Sequence, residues 1–126
     1  MVERARKRLG KKARRGFRGY PVATIAVYGP DDTIATKLAV GIVPGEHAEV
    51  SDLRRWFSAG ADIRNDATVA QEVLGFIDAA SAKSVIMTDR IIGCPHEEGV
   101  DYDEGQSCPR CPFWAGRDRW TGNRIH

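Results

Sequence analysis

All three cysteines of the chain fall between residues 94 and 111, and His96 stands two positions after the first of them. The pattern is Cys94-x-His96, eleven residues, then Cys108-x-x-Cys111. Zinc favours four tetrahedral ligands of thiolate and imidazole, and three cysteines with one histidine form a standard structural set. A Cys-x-x-Cys turn delivers two sulfurs to one ion, and Cys-Pro-His sets two donors on one side of a bend. Gly93, Gly99 and Gly105 flank the two halves and allow the turns this requires. The segment therefore predicts a closed Zn2+ site whose ligands are Cys94, His96, Cys108 and Cys111. The competing reading is a group of buried free cysteines beside a surface histidine. Iron–sulfur centres rarely include a histidine. An odd number of cysteines, confined to one segment, does not make a secreted disulfide framework, so a reducing, cytoplasmic setting is expected.

The same residues bear on catalysis. His96-x-Glu98 followed by Cys108-x-x-Cys111 is similar to the ligand pattern of zinc deaminases, in which a glutamate moves protons. Ser107 stands where those enzymes have proline, and the eleven-residue spacing leaves little room for their second helix. Cys94 also supplies a fourth ligand, whereas a catalytic zinc keeps one position open for water. No phosphate-binding glycine loop, nucleophile elbow or triad signature is present in the sequence. A non-enzymatic protein is the first expectation, with an unrecognised zinc-dependent enzyme using Asp89, Arg90 and Glu98 beside the metal as the third reading, after a protein-interaction module.

The remaining chain, at 126 residues in all, predicts one α/β (α+β) domain over residues 20–126. Val22 to Tyr28 is β-branched and nearly all apolar, as in a strand covered on both faces. Gly29 to Asp32 reads as a turn. From Thr36 to Val43, Leu38, Val40 and Ile42 share one face, and Lys37, Ala39 and Gly41 the other. These two strands predict a hairpin. Ser51 is the expected cap of a short helix, Asp52 to Ser58, with Leu53, Trp56 and Phe57 inward. A longer helix follows Asp66, from Ala67 to Ser81, with Val69, Val73, Phe76, Ile77 and Ala80 at helical spacing. Ser84 to Thr88 forms a third strand. The expected product is a small mixed sheet of about three strands, in which the second and third run parallel through the helical crossover. No stretch is long and apolar enough for a membrane helix.

The stretch Met87 to Gly99, reading TDRIIGCPHEEG from Thr88, resembles a family of small bacterial proteins without an assigned activity. Asp101-Tyr102 and Cys108-Pro109-x-Cys111-Pro112-Phe113-Trp114 belong to the same likeness, which reaches back to about Tyr20. It implies a zinc-binding C-terminal segment and no particular reaction.

Charge supplies the functional expectation. Residues 1–18 hold nine lysines and arginines against Glu3 alone, so the rest of a chain of net charge +2 is acidic. Residues 1–19 read as a basic, disordered arm, with a brief helix around Glu3 to Leu9 as an alternative. Lys11, Lys12, Arg14, Arg15 and Arg18 can neutralise phosphates, with Phe17 and Tyr20 beside them to stack on bases. Arg117 and Arg119, with Trp120 and Arg124, form a second basic patch. RNA is the favoured partner over DNA, with a ribosomal association in view. Competing readings of the arm are a solubilising tail, a transit presequence, against which its lack of serine argues, and a start of translation nearer Tyr20. Glu97, Glu98, Asp101, Asp103 and Glu104 make an acidic loop that would suit a basic protein partner or remain a solvated surface. Asp89 and Arg90, at the carboxyl end of the third strand, are the remaining ligand-site candidates, against the plainer reading of a capped turn. His47 and His126 have no visible partner.

Overall fold

The computed structural model describes residues 2–97, 99–106 and 108–115. Along the chain run α1 (Val2–Arg15), β1 (Val22–Tyr28), β2 (Lys37–Val43), β3 (Asp52–Phe57), α2 (Ala67–Ala79) and β4 (Ser84–Ile91). Short 3-10 turns cover Ile63–Asn65 and Pro112–Trp114.

Alternation of side chains in β1 and β2 builds the centre of the sheet. They pair antiparallel from Val22 opposite Val43 to Tyr28 opposite Lys37, as the hairpin expectation requires. Ala23, Ile25, Val27, Leu38, Val40 and Ile42 are buried on one face. The opposite face of β1 is only partly covered, with Thr24 exposed and Ala26 and Tyr28 half-buried, so β1 is not sealed on both sides as expected.

Both helices pack on the buried face. Asp66 caps α2, its side chain accepting from the Val69 N–H at 3.0 Å. Val73 and Ile77 of α2 are fully buried against the sheet. α1 replaces the expected flexible arm. Leu9 is 6% exposed and belongs to the main core, and Ala13, one turn on, packs against it. A segment with one leucine and otherwise mostly cations becomes ordered because α2 and β4 supply the apolar surface it lacks.

Residues 52–57 are an edge strand, not the expected short helix. β3 pairs antiparallel with β2, Leu38 facing Trp56, and the full order is β3-β2-β1-β4. Leu53, Trp56 and Phe57 have helical spacing, but only Trp56 turns inward; Leu53 and Phe57 are exposed. Ser51, the expected helix cap, instead donates its backbone N–H to the Ile42 carbonyl at 2.8 Å. The sheet thus has four strands. β4 pairs parallel with β1 and so runs opposite to β2, whereas the two were expected to run parallel, because β3 reverses the chain before α2.

Between the pairs Ile25–Met87 and Val27–Ile91 the register shifts, and β4 bulges. Asp89 and Arg90 fall in this bulge, inside a strand that runs past its expected end at Thr88. No helix among the described residues is long and apolar enough to cross a membrane.

Candidate metal centre and basic helix face

After β4 the chain turns back against the β1–β2 connection, and backbone bonds fix the turn. The Ile92 N–H donates to Val27 at 3.0 Å, and the Gly29 N–H donates to the Gly93 carbonyl at 2.9 Å. Cys94 follows directly, with His96 beyond Pro95. The second half returns through Cys108-Pro109-Arg110-Cys111, where the Cys111 N–H reaches the Cys108 carbonyl at 3.4 Å. The Pro112–Trp114 turn then places the Trp114 indole, whose Nε1 donates to the Gly29 carbonyl at 2.8 Å. Gly29 is therefore the common anchor of both halves.

The structure brings all four expected ligands together. Their donor atoms lie within 4.8 Å of one another, with Cys108 and Cys111 buried and Cys94 and His96 half-buried. The His96 Nδ1 is the converging nitrogen, 3.2 Å from the Cys94 Sγ, 3.4 Å from Cys108 and 3.5 Å from Cys111. The His96 backbone N–H also donates to the Cys94 sulfur at 3.2 Å, which holds the Cys-Pro-His bend.

The three thiols titrate against one another. Burial pushes the Cys94 thiol up to about 12, and the neighbouring thiols add to the shift. Burial also raises Cys111. Cys108 is opposed by burial as well, but the Arg110 amide and hydrogen bonds from the other two cysteines hold it below the ordinary thiol value. One thiolate is thus favoured and the others are suppressed, as expected when like charges share a small volume. A metal ion held by these four residues would supply the charge that lets all three ionise.

A second layer ties the loop to the sheet. Lys37, only 4% exposed, donates from Nζ to the Pro95 carbonyl at 3.1 Å and to the Glu97 carboxylate at 3.3 Å. Its ammonium also stands 5.2 Å from the Tyr28 ring and 5.8 Å from that of Phe57. Arg55 of β3 pairs with the same carboxylate. Burial works against ionised Glu97, yet Lys37 and Arg55 together hold it below the usual glutamate value. The Glu97 backbone N–H donates to Asp101 at 2.7 Å. Two residues of the acidic loop are therefore engaged within the chain, while Asp103 and Glu104 are exposed. Glu98 lies outside the described residues.

No family model, curated protein or solved structure matches the chain. The site's own geometry must carry the functional argument.

That geometry includes α1. Leu9 and Ala13 face the core, and at 100° per residue the opposite side carries Lys7, Arg8, Lys11, Arg14 and Arg15, all exposed. Lys12 is half-buried at the flank, and Arg18 is exposed three residues beyond the helix. Phe17 is 60% exposed, with its ring edge-on to Tyr20 at 5.3 Å. Arg117 and Arg119, the other expected contacts, lie outside the described residues, as do Trp120, Arg124 and His126. Arg90 is half-buried within the β4 bulge.

Sequence reasoning missed Lys37, Arg55 and Gly29 as supports of the metal loop. A lysine that opens a strand normally reads as solvent-facing, and an arginine on an unrecognised strand has no assignable partner. Gly29 was legible only as part of a turn.

Proposed function

We propose that the chain is a zinc-stabilised, non-catalytic RNA-binding protein of a reducing, cytoplasmic compartment. Zinc is favoured by the donor set and by size. Tetrahedral bonds of about 2.3 Å to sulfur and about 2.0 Å to nitrogen separate S and N by roughly 3.5 Å. The three S···N distances here, 3.2, 3.4 and 3.5 Å, come close to that figure. Four protein donors fill such a coordination sphere, so the ion stabilises the fold and takes no substrate.

The observation that carries RNA binding is the outer side of α1. Its five exposed cations sit on an ordered helix, so their spacing is set before a ligand arrives, and little order remains to be imposed on binding. Neutralised phosphates release counterions, which gives affinity without sequence preference. Phe17 adds an exposed ring on which an unpaired base can stack, and this favours single-stranded RNA.

The test is a salt series of fluorescence-anisotropy titrations with a single-stranded RNA. Arg8→Gln, Lys11→Gln and Arg14→Gln together change only exposed side chains. They should weaken binding and make the slope of log K against log salt shallower by about two units. An unchanged slope would remove α1 from the interface.

A further inference from the structure

A cleft of about 240 Å³ opens where the last turn of α1 meets the start of β4. Lys12, Arg15, Arg18 and Lys83 line it, with Ala82 and Val85 completing the wall. No carboxylate is among these lining residues. The chain pairs other cations readily, Lys37, Arg54, Arg55 and Arg64 among them. None of the ion pairs among the described residues engages the four cations of this cleft.

We propose that the cleft is a phosphate-monoester site and that its ligand is the terminal phosphate of an RNA strand. The choice of RNA as the source rests on the reading above; the phosphate chemistry rests on the cleft itself.

Converging like charges repel one another, so the folded chain gains when an anion sits between them. The α1 C-terminus favours cations in its last turn, where Lys12 and Arg15 lie, but its dipole amounts to about half a charge and leaves the cleft strongly positive. Arginine forks and lysine ammoniums together offer a dianion more donors than a bridging phosphodiester needs.

The backbone around the cleft is already fixed. The Arg18 N–H donates to the Ser84 hydroxyl at 2.5 Å, and that hydroxyl donates to the Gly19 carbonyl at 2.7 Å. Ser84 is 2% exposed, so this clasp is shielded from water. The Lys83 N–H donates to the Pro21 carbonyl at 2.8 Å. Arg18 and Lys83 thus leave the backbone from two segments bonded to each other's neighbours.

Size decides the ligand class. The cleft is below the roughly 300–1,000 Å³ of sites that enclose drug-sized molecules. It takes the phosphate group, while sugar and base remain outside. Phe17, next to Arg18 in the chain and exposed, is the ring on which that terminal base would stack.

The test uses the full chain and three RNAs of one sequence, bearing a 5′-phosphate, a 3′-phosphate or hydroxyls at both ends. One phosphate-ended RNA should bind about tenfold tighter than the hydroxyl-ended strand at fixed salt. Lys83→Gln should abolish that preference and leave hydroxyl-ended binding as it was, since Lys83 is not on the outer side of α1. Equal binding of all three RNAs overturns this proposal while the RNA-binding reading stands.

If none of the three binds, that reading fails instead, and amide shifts on titration with inorganic phosphate judge the cleft separately. Saturable shifts at Arg18, Gly19, Lys83 and Ser84, lost in Lys83→Gln, sustain a phosphate site; their absence overturns it. Competition by adenosine monophosphate as effective as the phosphate-ended RNA overturns the strand end as the source and assigns the site to free nucleotides.

Discussion

Gly29 shows how one position without a side chain joins two parts of the molecule. Its N–H and carbonyl are both spent on the segment of the candidate metal centre, one on Gly93 and one on Trp114. A Cβ added there would lie 2.0 Å from the Ile34 carbonyl oxygen and 3.0 Å from its carbon. Both are backbone atoms, which cannot swing aside as a flexible side chain would. Gly29→Ala should therefore destabilise the protein by about 3 kcal/mol, the upper end for overpacked positions. Denaturant unfolding measures the loss. Because the displaced backbone also positions Cys94 and Trp114, zinc affinity should fall in the same variant. Gly45→Ala is the control, since nothing lies within 4 Å of its added Cβ. A Gly29→Ala protein as stable as the parent would mean that the Ile34 turn yields easily.

At the level of whole elements, the sequence was legible where local chemistry and long-range packing agree. α2 carries both a helical period and an Asp66 cap, and both operate in the fold. β1 and β2 alternate as a hairpin must. The convergence of Cys94, His96, Cys108 and Cys111 was legible because the spacing of thiolates and imidazole is that of a four-donor set. β3 was misread for a physical reason. An edge strand exposed over most of its length has no burial alternation to display, and its three large apolar residues happen to match a helix. Pairing with β2 and the placement of Trp56 decide the matter. Trp56 Nε1 donates to Glu72 of α2 at 3.1 Å, and its ring meets Phe76 edge-on at 6.1 Å. α1 was misread for the opposite reason: its own residues promise little burial, and the surface it needs lies 60–80 residues away. Leu9→Ala separates an ordered, docked helix from a loose arm. It should cost about 2–3 kcal/mol, near the low end for a buried leucine because a cavity of about 370 Å³ already adjoins that side chain. Thermal unfolding checks it. A change below about 0.5 kcal/mol, the usual range for surface substitutions, would restore the arm.

On the scale of the molecule, the helices and the metal loop occupy different parts of the sheet and should differ in stability. Ile25, Val40, Val73 and Ile77 belong to the core between the sheet and the helices, a cluster that does not include the buried Cys108 and Cys111. The loop's polar ties to the sheet run through Gly29, Lys37 and Arg55, and Trp114 alone of its aromatic side chains packs against the main core cluster among the described residues. Without an ion, three thiols and an imidazole lose the link that closes both halves of the loop. Among the described residues after Ile92, Cys108 and Cys111 are the buried side chains, and Trp114 is partly buried against the core. Local opening then costs less than global unfolding, and the two transitions separate. Chelation of the proposed zinc should release one equivalent of metal and shift tryptophan emission to the red as the indole leaves Gly29. The shift should disappear in Trp114→Phe, which distinguishes it from any response of Trp56 or Trp120. Far-UV circular dichroism should keep most of its amplitude, because neither α2 nor the β1–β2 pair depends on the ligands. Collapse of the whole spectrum on chelation would show that the loop holds the sheet together, and that the core is too small to stand without its metal.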